Sequence, residues 1–111
     1  MINDGNYKEK FKGLQVVEIS GESCANCLTL MPLLHEVVSQ RNLLTLVHVE
    51  ADNDTVKIME EYGVDRVPTV LLLDDGVLFA KATGYQPQEI FELWLDAKLD
   101  EHLKQTKKSD S

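Results

Sequence analysis

The residues able to do chemistry are few and close together. Cys24 and Cys27 are the only cysteines, and two residues separate them. At that spacing one thiolate can attack a disulfide and the second can complete the exchange. A C-x-x-C pair also supplies zinc ligands, but a closed structural site needs four. There is no second cysteine pair, and the histidines, His35, His48 and His102, lack finger spacing. They read as surface or half-buried residues. In a reducing compartment the pair therefore points to redox chemistry, with no metal expected. A carboxylate stands nearby in sequence. Glu18 sits between Val17 and Ile19, where a strand covered on both faces should be apolar.

The segments around these residues have the patterns of strands and helices. Leu14–Ile19 reads as a first strand, followed by the turn signal Ser20-Gly21. From Cys24 to about Gln40, apolar residues fall at Cys27, Leu30, Met31, Leu34, Val37 and Val38, the spacing of a helix with one core face. Ser23 is placed to cap it. Pro32 lies inside it and removes one hydrogen bond. Leu43–Val49 reads as a second strand, parallel to the first because a helix connects them. Asp52–Asp54 is a polar loop able to cap a helix at Thr55–Tyr62, which Gly63 stops. Val67–Leu73 is the most apolar strand. Asp75-Gly76 turns it into an antiparallel strand, Val77–Thr83. Pro87 opens a last helix with Phe91, Leu95, Leu99 and Leu103 in one stripe, flanked by Ile90 and Trp94. Ahead of the first strand, residues 3–12 suit a short surface helix capped by Asn3 or Asp4 and ended by Gly13. The order helix, β, α, β, α, β, β, α predicts an α/β fold, a four-stranded mixed sheet with helices on both faces.

The totals fit one compact domain. The chain has 111 residues, 43% of them apolar, enough for one core. Its net charge of −8 opposes binding to nucleic acid or to an anionic membrane surface. No apolar run reaches the length of a membrane span, and the N-terminus lacks a signal-peptide core, so a cytoplasmic location is expected.

Taken with this element order, the motifs resemble the thioredoxin family over roughly residues 4–102. Pro32 follows Cys27 at the fifth position, as in thioredoxins. Tyr62-Gly63-Val64-Asp65-Arg66-Val67-Pro68-Thr69 looks like the family's segment around its cis-proline. Asp75-Gly76 falls at the family's hairpin, and Gly84 at its glycine after the last strand. The chain also departs from the pattern. Where thioredoxins read W-C-G-P-C-K, it reads Ser23-Cys24-Ala25-Asn26-Cys27-Leu28. Ser20 stands where the family has a second tryptophan, and the family's first β-strand is expected to be missing. The resemblance implies one thioredoxin-like domain at 1–104. The polar tail 105–111 is expected to be disordered.

The resemblance also implies roles. Cys24 is the expected nucleophile, at a helix N-terminus whose free N–H groups and dipole favour a thiolate. Cys27 is the resolving cysteine, one turn deeper on the core face. Glu18 falls where thioredoxins keep a buried aspartate, six residues before the first cysteine. A carboxylate there can take the proton of the resolving thiol; the alternative is a solvent-facing glutamate. Pro68 is implied to be cis, which sets the Val67 backbone beside the cysteines for an extended substrate. Arg66, just before Val67, is placed either beside the Cys24 thiolate or as a solvated loop residue. Tyr85 lines the substrate surface or packs in the core. The implied activity is thiol–disulfide exchange on disulfide-bearing proteins, with a thiol or a flavoprotein reductase as electron donor. No cofactor is implied beyond the cysteine pair. The alternative is a binding module whose cysteines act only as a redox sensor.

Overall fold

The computed structural model describes residues 1–109, with side chains to residue 106. The elements are α1 (Tyr7–Lys10), β1 (Leu14–Ser20), α2 (Ala25–Ser39), β2 (Thr45–Glu50), α3 (Val56–Glu61), β3 (Thr69–Asp74), β4 (Val77–Thr83) and α4 (Gln88–Ser109). The sheet order is β2-β1-β3-β4. β1 pairs parallel with β2, as a helical connection requires, and antiparallel with β3. β3 and β4 form the hairpin, turning through Asp75 (φ 50°) and Gly76 (φ 83°). Positive φ at both turn residues matches the twist of the flanking strands. Among the described residues no strand precedes β1, so the expected four-stranded mixed sheet with helices on both faces is what forms.

Alternation along the strands sorts the core into two layers. Val16, Val70 and Leu72 face α2 and α4, where they meet Leu30, Leu34, Val37, Phe91 and Leu95. Val17, Ile19, Leu71 and Leu73 face the other way, against Tyr7, Phe11, Ile58 and Tyr62. Because side chains change face at every residue, Glu18 and Ser20 share the face of Val16, the one covered by α2. The strand parity thus sends an ionisable residue under the cysteine-bearing helix.

Several local expectations are corrected. The N-terminal helix is a single turn on the surface, with Lys8, Glu9 and Lys10 exposed, but it is anchored from beneath: Tyr7 and Phe11 are buried and pack edge to face, and Phe11 meets Tyr62 in the same way. Asp4 does not cap it. Its carboxylate instead accepts the backbone N–H groups of Lys57 and Ile58, both at 3.0 Å, and so caps α3 across the fold. Thr55, rather than Asp52–Asp54, takes the N-cap position of α3. In α4 the apolar stripe tapers, with Phe91 and Leu95 buried while Ile90 and Leu103 face water. Beyond residue 104 a disordered tail was expected, yet α4 continues to Ser109. Near that end the Lys104–Asp100 pair lies one turn apart and the Thr106 hydroxyl donates to the His102 carbonyl. Residues 110 and 111 lie outside the described residues.

Candidate active site

The cysteines sit where β1 hands over to α2. Ser23 bends the chain with a left-handed backbone, φ 59°. It is one residue too early to cap the helix, as the sequence had suggested. Cys24 is the N-cap residue, with extended backbone, and its sulfur accepts the N–H of Cys27 at 3.2 Å. A sulfur at this position faces the unpaired amides and the positive end of α2. Cys27, one turn on, points to the core and is 3% exposed. The two are joined as a disulfide with Cα atoms 5.3 Å apart. α2 continues through Pro32, which lies on its exposed side.

Beneath the pair lies a small polar layer. Glu18 is fully buried, which rules out the solvent-facing alternative. One carboxylate oxygen accepts the Ser20 hydroxyl. The other lies 2.7 Å from Nδ1 of His48. His48 Nε2 in turn lies 2.8 Å from a carboxylate oxygen of Glu50. The strand register accounts for the cluster: Glu18 pairs with His48 and Ser20 with Glu50 in the β1–β2 ladder, so all four side chains share the α2 face. Burial lowers the pKa of His48, but the bonds to Glu18 and Glu50 outweigh it and leave the imidazole above its ordinary value of 6.5.

A cleft of about 490 Å³ opens over these residues. Cys24, Cys27, Leu28 and Met31 line it from α2, and Ser20, His48 and Glu50 from the sheet. Glu18 is not part of the lining and communicates with the cleft through Ser20 and His48. His48 and Glu50 went unrecognised as site residues in the sequence. Their alternation along β2 put them on one face, but which strand lay beside them was not legible.

The other expected site residues, Val67, Pro68, Arg66 and Tyr85, lie outside the cleft lining. The Val67–Pro68 bond is cis. Val67 packs against the turn after β1 so closely that a methyl on Gly21 would sit 2.9 Å from its Cγ2. The Pro68 carbonyl accepts the Gly84 N–H at 2.8 Å, which brings half-exposed Tyr85 to the same end of the sheet. Arg66 does not line the cysteines' cleft. Its guanidinium pairs with its own neighbour, Asp65, at 3.1 Å in solvent. Among the described residues no group of three His, Cys, Asp or Glu side chains could hold a metal ion. Nor is any described helix long and apolar enough to cross a membrane.

Comparison with known proteins agrees with this architecture. The family model described as Thioredoxin matches residues 1–97. A thioredoxin of Mycoplasmoides gallisepticum is 33% identical over 79 residues, covering 70% of this chain and 78% of the relative. A thioredoxin of Staphylococcus aureus is 26% identical over 104 residues, 92% and 95% of the two chains. A thioredoxin H-type of Ricinus communis is 28% identical over 79 residues, 71% and 66%. From its first helix to well into its last, this chain belongs to the thioredoxin family, whose members are thiol–disulfide oxidoreductases.

Proposed function

We propose that the chain reduces disulfides in other proteins, with Cys24 as attacking thiol and Cys27 as resolving thiol. The Cys24 thiolate attacks one sulfur of the substrate disulfide. A bond forms between Cys24 and that sulfur, and the other substrate sulfur leaves as a thiolate. Cys27 then gives its proton to Glu18 and attacks Cys24. The Cys24–Cys27 bond forms, and the second substrate sulfur leaves. The substrate gains the electron pair that the cysteines lose, and a thiol or a flavoprotein reductase restores the dithiol. The observation that carries this reading is the asymmetry of the pair. Cys24 caps the helix at the cleft, while Cys27 lies buried on the α2 stripe that faces the sheet, the side of β1 on which fully buried Glu18 also lies.

An extended substrate segment is taken to lie along Val67 and Pro68, with Tyr85 at its edge and Arg66 on the outer rim, making backbone hydrogen bonds. Residues 1–104 act as the single domain that does this, in the cytoplasm, with no cofactor but the disulfide itself. Leu28, 77% exposed directly after Cys27, adds an apolar contact beside the reactive sulfur. That position favours a choice of partner different from that of a chain with lysine there.

The reduction of insulin by dithiothreitol tests the activity. The wild-type chain should accelerate it, and Cys24→Ser should abolish the acceleration. Cys27→Ser should instead accumulate a mixed disulfide at Cys24, visible by mass. No acceleration by a folded wild-type chain would leave a redox-sensing interaction module as the better description. Full activity in Cys24→Ser would refute the choice of nucleophile.

A further inference from the structure

Glu18 can accept a proton only if that proton can later leave. The carboxyl is fully buried, so it must pass the proton to a bonded neighbour. Its neighbours are the Ser20 hydroxyl and the His48 imidazole. A serine hydroxyl does not hold a second proton in water, whereas an imidazole does so near neutrality. The far nitrogen of that ring leads outward, to Glu50, whose side chain is 40% exposed.

The ring's surroundings make transfer intrinsic to the arrangement. A neutral imidazole has one N–H and one lone pair. With carboxylate oxygens at 2.7 Å and 2.8 Å on its two nitrogens, it would have to turn a lone pair toward one of them. Three states avoid that conflict. In the first, the ring is an imidazolium donating to both carboxylates. In the second, Glu18 carries the proton and donates it to Nδ1, while Nε2–H donates to Glu50. In the third, Glu50 carries the proton and donates it to Nε2, while Nδ1–H donates to Glu18. Passing from the second through the first to the third moves one proton from the buried carboxyl to the ring and one from the ring to the exposed carboxyl. The remaining charged groups near the ring are Asp52, Asp54 and the chain's amino end, which border the adjoining hollow, and the cysteine sulfurs across the cleft.

We propose that His48 is the proton exit of the exchange site, acting through Glu18 rather than on the sulfurs. The inference rests on the oxidoreductase reading above. The proton that Cys27 yields as it attacks Cys24 reaches Glu18. Glu18 passes it to Nδ1 of His48 as Nε2 releases its own proton to Glu50 and on to water. One proton enters and one leaves, and no electrons move along the path. Re-reduction runs the same path inward.

Stopped-flow reduction of Ellman's reagent by the reduced protein reads the step directly. Attack by Cys24 releases one thionitrobenzoate, and resolution by Cys27 releases the second. In His48→Gln the ratio of the second rate to the first should fall about tenfold near neutral pH. The deficit should close toward pH ~9, where a thiol ionises without help. Added imidazole should restore the lost rate. Glu50→Gln, which keeps an acceptor but loses the proton sink, should give a smaller deficit of the same pH shape. A ratio in His48→Gln equal to wild type across the pH range would overturn the proposal. So would a deficit that is constant with pH and insensitive to imidazole, which would mark His48 as a packing residue. A wild-type protein that releases no second thionitrobenzoate would overturn the oxidoreductase reading itself, a distinct result.

Discussion

A single glutamate concentrates the chemistry of this chain. Burying a carboxyl without partners is costly, and Glu18 avoids that cost by accepting Ser20 and meeting His48. Glu18→Gln keeps the shape and can still accept the serine hydroxyl, but it cannot take a proton. The rate of disulfide exchange in that variant is therefore expected to drop by about ten- to a hundredfold near neutral pH, and by less at high pH. Rate profiles against pH for the two proteins check this. A uniform loss at every pH would make Glu18 a structural residue only. The departure at Cys24 is also local. With Ser23 in a left-handed bend, the helix cap passes to a sulfur, so the proposed nucleophile is also the residue facing the helix's free amides.

At the scale of elements, α2 carries the reactive end and is held by its other end. Cys27, Leu30, Leu34, Val37 and Val38 form its buried stripe. Leu34 is fully buried between the sheet and α4, and Leu34→Ala should cost about 3 kcal/mol through lost burial and the cavity left behind. Against a typical total of about 5–15 kcal/mol this loss is large but survivable. Urea denaturation of the two proteins measures it. The C-terminal end is pinned just past the helix, where Arg41 donates to both carboxylate oxygens of Asp96 at 2.7 Å and 2.8 Å and to the Val37 carbonyl at 2.7 Å. This bidentate pair orients α2 against α4 more than it stabilises, because Asp96 is largely solvated. The reactive turn is therefore supported by packing rather than by surface charge.

For the whole molecule, the site's polar layer links stability to pH. The folded pKa of His48 lies above its unfolded value of 6.5, since the bonds to Glu18 and Glu50 overcome the penalty of burial. A raised folded pKa means that the folded state binds the proton more tightly than the unfolded chain. The resulting stabilisation is complete below the unfolded value and disappears as pH rises through the folded one. The stability difference between wild type and His48→Gln is thus expected to shrink as pH increases from ~6.5 upward. Denaturation midpoints at several pH values measure it. A difference that grows with pH would contradict the arrangement. The same layer joins β1, β2 and the cleft under α2, so stability and exchange chemistry draw on one set of groups.

Local pattern determined most of the architecture. Alternation, helical spacing and the Asp75-Gly76 turn placed every strand and helix, because these signals depend only on neighbours in sequence. The C-x-x-C pair and the interruption at Glu18 marked the site for the same reason. What sequence could not reach depended on contacts across the fold. Asp4 caps a helix more than fifty residues away because α1 packs beside α3, not because of its own neighbours. His48 read as a surface or half-buried histidine, and its side chain is 41% exposed, but only the parallel register of β1 and β2 sets it against Glu18. One residue of slip would have turned it to the opposite face. The reactive sulfurs were thus legible in the sequence, while the group placed to carry their proton was decided by the pairing of two strands.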